Sequence, residues 1–290
     1  MAQEIEDRLI QAIQKQVEKV NYYCSAEYIL PDLAVHEIRK SFKRIRALLE
    51  FYPESLSEVL NDYSKQIKSL AKFLSPARES SVNVQLIDKL NTATGLISQQ
   101  KYEEVKKLLI QENKKRINEL YADKKIFREI KSFVYDIEAR LYGMLFHPSV
   151  NIDVLKQITI SYKKGCRLYS ELEKGYNANL YHDLRKVMKA LGYQLDFAKV
   201  DQPKYLKLKS NALRKITEQL GEDHDWYIFK NEIKKDIYNL ERSDARLFDK
   251  QIRLIHEPEL QKLLPRLKKF FEETPDSFEE KVRSSYNPPV

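Results

Sequence analysis

Apolar residues return every three to four positions along most of the chain, the spacing that lines one face of an α-helix, and the pattern reads as all-α. Only six glycines and ten prolines interrupt it. The periodicity predicts helices over residues 3–24, 31–52, 54–75 and 78–94, then a long charged helical stretch from 99 to 146 with room for a bend. Further helices are predicted over 150–174, 177–199, 203–220, 223–256 and 259–273, with a loosely ordered tail from Pro275 to Val290. Pro31, Pro53, Pro203 and Pro258 each fall at a predicted helix start, where a missing N–H leaves no hydrogen bond unmade.

The chain repeats itself at a long period. His36, Arg39, Lys40, Lys43, Leu49 and Phe51 recur 146 positions later as His182, Arg185, Lys186, Lys189, Leu195 and Phe197. The same offset carries Leu74 to Leu220 and Glu79 to Asp225, so the register holds across an intervening helix. A duplication of that extent predicts one domain made of two homologous helical halves, 1–147 and 148–290, related by a pseudo-twofold axis. The boundary is placed near Phe146-His147-Pro148-Ser149, where a proline follows a long helical stretch.

Charge gives the repeat a chemistry. With His36 as reference and about 100° per residue, Arg39, Lys40, Lys43, Arg44 and Arg46 all lie within about 80° of it. Ile38, Phe42, Ile45 and Leu49 take the opposite arc, so the helix has an apolar side for the core and a basic side. Only Glu37 offers a local counter-charge, whereas solvated helix faces usually intersperse acids. The second copy keeps His182, Arg185, Lys186 and Lys189 but has Ala190 and Gly192 in place of Arg44 and Arg46. It is predicted to bind more weakly, and Gly192 to admit the close approach of another backbone. Overall, 51 basic against 43 acidic side chains give a formal +8, which favours an anionic partner.

Other classes find little support. Motifs for a phosphate-cradling glycine loop, a zincin helix, a nucleophile elbow or a Cys/His constellation are absent, so neither enzyme activity nor a cofactor is expected. A metal site is not expected, because position i+4 from each histidine is a lysine. Cys24 and Cys166 read as ordinary thiols. No apolar run is long enough to span a membrane and the acidic start lacks the form of a signal peptide, so a cytoplasmic protein without a membrane partner is expected. The tyrosines read as helix-interface residues, and Lys114–Arg116 and Lys124–Arg128 either as solvated faces or as further lining of the site.

The two basic segments, with Leu74-Ser75-Pro76-Ala77-Arg78-Glu79 and Leu220-Gly221-Glu222-Asp223-His224-Asp225, resemble the conserved-histidine α-helical domain (CHAD) family over nearly the whole chain. The resemblance implies two helical-bundle halves around a basic central cavity, binding of inorganic polyphosphate and association with polyphosphate granules. It adds Arg78 to the candidate contacts. Ser75 stands where the family has glycine, and Lys189-Ala190-Leu191-Gly192-Tyr193 lacks the family's further basic residues. For both histidines, direct phosphate contact and a neutral ring bonded to a neighbouring helix stand as equal readings. The rival partner is a nucleic-acid backbone, read without base stacking because no aromatics interleave the stripe.

Overall fold

In the computed structural model the chain is built from helices, with no strand among the described residues. Those residues are 2–25, 29–53, 56–91, 95–145, 152–175, 177–198, 204–235, 238 and 240–286. The first half holds α1 (Ala2–Ser25), α2 (Pro31–Leu49), α3 (Ser57–Phe73), α4 (Ser75–Asn91), α5 (Gln99–Ala122) and α6 (Lys124–Leu145). The second holds α7 (Val154–Leu172), α8 (Ala178–Ala198), α9 (Lys204–Glu232), α10 (Arg242–Phe270) and α11 (Pro275–Tyr286). No helix among the described residues is long and apolar enough to cross a membrane.

A shift of 146 positions lays α1 on α7, α2 on α8, α5 on α10 and α6 on α11, while α3 and α4 together fall on α9. Packing partners repeat as well. Helix α1 lies against α2 and α6 as α7 lies against α8 and α11, and α4 lies against α5 as α9 lies against α10. The one difference has a plain cause in Pro76, at the second position of α4. It lacks an N–H and its ring clashes with the carbonyl four residues back, which separates α3 from α4 at Leu74. Its equivalent is Glu222, and α9 runs unbroken through it.

Several element boundaries therefore differ from the sequence expectation. Gly221 does not end a helix, and the stretch predicted as 223–256 is divided between α9 and α10. Pro258 is not a helix start: with Pro265 it lies inside α10. An interior proline costs about 3 kcal/mol, and buried Phe248, Ile252, Leu263, Leu267 and Phe270 on the same helix supply the offsetting burial. The charged stretch 99–146 bends at Asp123, whose carboxylate accepts from the Lys125 N–H at 3.0 Å. Pro203 and the boundary at 146–149 lie outside the described residues.

Two apolar cores hold the helices, and both cross the halves. The larger brings Ile38, Phe42 and Ile45 of α2 together with Leu184, Leu191 and Leu195 of α8, all essentially inaccessible to solvent. At its end Phe51 packs on its own repeat equivalent, Phe197, with ring centroids 5.2 Å apart. The smaller core joins Leu86 and Ile87 of α4, Val105 of α5, Trp226 and Phe229 of α9, and Phe248 of α10. The predicted close backbone approach at Gly192 is not found: the Leu213 side chain lies 3.7 Å from where a Cβ would stand.

The tail expected to be loose is helix α11, held by one end of the larger core. Phe278 stacks on Tyr162 with centroids 3.8 Å apart and planes within 8°, and Val282, one turn on, is fully buried. Beneath them the Lys209 ammonium lies 5.1 Å from the Phe270 ring centroid and 5.7 Å from those of Tyr162 and Tyr205. It also pairs with Glu273 at 3.3 Å. Cation–π attraction of this desolvated kind contributes on the order of 2 kcal/mol. Replacing Phe278 by alanine is expected to lower the unfolding free energy by about 3 kcal/mol or more. Denaturant titration of the full chain reads this directly, and unchanged stability would show that α11 adds nothing to the core.

Candidate functional site

Helices α2 and α8 pack on each other through their apolar sides, and α4 and α9 lie against them and against each other. This leaves a cavity of about 510 Å³ between the four. Into it α2 sends His36, Arg39, Lys40 and Lys43, α8 sends Arg185 and Lys189, and α4 sends Arg78 and Lys89. From α9 come His224 and the carboxylates Glu218, Glu222 and Asp225, and α4 adds Glu79. Seven lysines and arginines against four carboxylates leave a formal excess of three positive charges before either histidine is counted.

The structure thus gathers His36, Arg39, Lys40, Lys43, Arg78, Arg185 and Lys189 at one cavity and leaves the other four candidates off its wall. Arg44 lies over the Tyr193 ring, 5.5 Å from its centroid. Arg46 is one helical turn before Glu50, whose carboxylate favours its charge against the effect of burial, at the packed end of the α2–α8 interface. Lys186 pairs with Asp183 at 2.9 Å on an exposed surface, and His182 stands behind the wall, its ring 4.7 Å from that of His224. Arg44 and Arg46 were the basis for expecting the richer first copy to bind more strongly; neither faces the cavity.

Among the lining residues absent from the sequence-based candidates, three carry distinctive chemistry. Tyr193, set aside with the other tyrosines, lines the cavity, as do Lys89 and His224. Lys89 reaches it from the rim, where it pairs with Glu222 at 2.6 Å. His224 had a legible signal, since the 146-residue offset places it on Arg78. Of the other basic clusters, Arg116 lines a separate recess of about 230 Å³ beside Glu112 and Glu232, and pairs with Glu112 at 2.6 Å.

Convergence of like charge shows in the protonation equilibria. Lys43 is exposed to the cavity, yet protein crowds it from several helices. That loss of solvation, with Arg185, Arg39 and Lys189 close by, pulls its amine down to about 7. Burial and Arg185 lower Lys189, whereas Glu218 and Asp225 act to raise it. His36 is lowered by burial and by Arg78. The arginines stay charged whatever the surroundings, so part of the repulsion persists in the empty cavity. Asp225 moderates it by facing Arg185, Arg78 and Lys43, although burial holds its own carboxyl above the usual range.

The two central arginines are repeat equivalents held differently. Arg39 Nη1 donates to Ser75 Oγ at 2.8 Å and to the Ala71 carbonyl, so it also caps the end of α3. Opposite Arg185 the residue at the equivalent of Ser75 is Gly221, and a Cβ there would lie 3.9 Å from Arg185 Nη2. Arg185 Nε is buried without a hydrogen-bond partner among the described residues. An unsatisfied buried donor costs about 1–3 kcal/mol. No cluster suited to a metal ion occurs among the described residues.

Residues 11–234 match a family model described as the CHAD domain. Among solved structures, the crystal structure of the CHAD domain from the plant Ricinus communis aligns with a TM-score of 0.65 at 14% identity, over 93% of this chain and 92% of that one. PptA from Streptomyces chartreusis aligns with a TM-score of 0.61 at 12% identity, over 92% of this chain and 99% of that one. At such identities the two structures speak for the fold alone. No curated protein matches the chain.

The charge environment of Lys43 is open to measurement. Its reactivity toward an acylating reagent, followed by mass spectrometry across pH, is expected to show a midpoint near 7, well below that of solvated lysines at about 10.4. Replacing Arg185 by glutamine should move the midpoint upward. A midpoint above 10 in the unaltered protein would mean that the cations do not converge as described.

Proposed function

The chain belongs to the CHAD domain family, and we propose that it binds inorganic polyphosphate in the cavity between α2, α4, α8 and α9 and carries out no chemistry on it. One observation carries the reading. Cations from both halves, Arg39 and Lys43 from the first and Arg185 and Lys189 from the second, face a single cavity whose lining is positive in excess. Linear polyphosphate bears about one negative charge per unit and presents no base or ring for specific readout. Its recognition therefore needs spaced donors rather than a shaped pocket. Arginine supplies paired hydrogen bonds to phosphate oxygens and lysine a mobile point charge, while displaced counterions make the binding entropy favourable. A chain held in this way would also anchor the protein to polyphosphate granules.

A nucleic-acid backbone offers the same charges more widely spaced and with bases attached. Among the cavity residues only Tyr193 presents an aromatic ring other than the histidines, and Arg44 already covers it. Stacking of successive bases, worth about 1–3 kcal/mol each, has no platform there. Polyphosphate is therefore the reading the cavity favours.

Neutralising Lys43, Arg185 and Lys189 together with glutamine is expected to weaken long-chain polyphosphate binding by at least about 100-fold, as charge-assisted hydrogen bonds contribute about 1.5–3 kcal/mol each. Arg39 is left in place because it caps α3. Circular dichroism should be unchanged, and Lys186→Glu, off the cavity, should shift affinity about twofold at most. For the unaltered protein, raising salt from about 50 to 200 mM should cost roughly a thousandfold. Full binding by the triple variant, or equal affinity for single-stranded RNA of matched charge at physiological salt, would sink the proposal.

A further inference from the structure

At one position of the cavity wall the repeat exchanges a permanent cation for a titratable one. His224 and Arg78 are equivalents under the 146-residue repeat, and both line the cavity. Their surroundings correspond as well. Arg78 acts on His36, the histidine that opens the first stripe. The ring of His224 lies against that of His182, the histidine that opens the second, with centroids 4.7 Å apart and planes tilted by 34°. One half therefore pairs its stripe histidine with a permanent cation, and the other pairs it with a second histidine.

Resting on the polyphosphate reading, we propose that His224 is a phosphate-contacting residue whose charge is conditional. It occupies in the second half the place of Arg78, meets a bound polyanion as an imidazolium, and so couples binding to the uptake of a proton. The proton comes from solvent and adds to the free ring nitrogen; no bond to phosphorus changes. An imidazolium donates through both nitrogens, whereas the neutral ring donates through one.

The groups around His224 act in opposed directions. From α8 come Arg185 and His182 and from α2 comes Lys43, all of which disfavour a charge on the ring. On its own helix Asp223 favours it, but that carboxylate is engaged by His256 of α10 at 2.9 Å. Burial and Arg185 together hold His224 down to about 4, so it is neutral at physiological pH. A polyanion lying along Arg185 and Lys43 screens the cations that depress the ring and adds negative charge beside it. The direction follows from linkage: a base that is more basic in the complex than in the free protein is protonated on binding, and affinity rises as pH falls. His182 Nδ1 is buried without a partner among the described residues. With the rings in contact, a second charge would meet the first, so the pair takes up a single proton.

The test separates this titration from that of Lys43 by using a Lys43→Arg background, which keeps a cation that does not titrate near neutrality. Calorimetry with long-chain polyphosphate in two buffers of different ionisation enthalpy counts the protons taken up. About one proton per bound site is expected at pH 6 in that background, with affinity rising several-fold from pH 8 to pH 6. Adding His224→Gln should remove most of the uptake and flatten the profile. Adding His224→Arg should instead give, at pH 8, the affinity its parent reaches at pH 6. Binding that persists with the same uptake and slope after His224→Gln overturns the inference and leaves the polyphosphate reading intact. Failure of the unaltered protein to bind at any pH overturns both.

Discussion

Holding several arginines and lysines around one partly enclosed space costs free energy that grows with every charge added, and the rest of this architecture is arranged around that cost. It needs a rigid frame, because cations on flexible elements would splay apart. The frame is the α2–α8 contact, where apolar faces from the two halves are buried against each other. It needs partial compensation, which Glu79 and Asp225 provide from equivalent positions without reaching neutrality. It also leaves a tension: burial first, and neighbouring cations after it, lower the pKa values of Lys43, Lys189, His36 and His224. Under the polyphosphate reading proposed above, part of the binding free energy would be the relief of that repulsion.

The repeat supplies this arrangement twice but does not finish it alike. Pro76 breaks the first half's helix and creates an end that Arg39 must cap, so one arginine serves both the frame and the cavity. In the second half the helix runs on, Gly221 offers Arg185 no side-chain acceptor, and Arg185 Nε is buried without a partner among the described residues. The equivalent arginines therefore differ in their partners: Arg39 donates to Ser75 and to the Ala71 carbonyl, whereas Arg185 Nε has none among the described residues. Counting cations in the two stripes missed this, because it treated each as equally available.

The sequence made the helical class, the repeat and the apolar and basic sides of α2 and α8 legible, since each depends on spacing along one helix. Helix ends were less so. The course of α10 through two prolines is settled by burial of its own Leu263, Leu267 and Phe270 in the larger core, and the order of α11 by Tyr162 and Lys209, against which Phe278 lies. Periodicity along a single segment carries no record of its neighbours.

The same division runs through the site. By itself the sequence determined which residue types the cavity would use, because the duplicated spacing of arginine and lysine puts them on one helical face wherever that helix goes. Only the tertiary structure decided which of them arrive. The arc a helix offers is wider than the opening it faces, so Lys40 lines the cavity while Lys186 turns to solvent, Arg44 lies over Tyr193, and Arg46 stands one turn from Glu50. Residues remote in sequence, Lys89 and His224, enter because packing of α4 and α9 closes the wall. Charge pattern is local, whereas convergence of charge depends on distances between helices that no local pattern encodes.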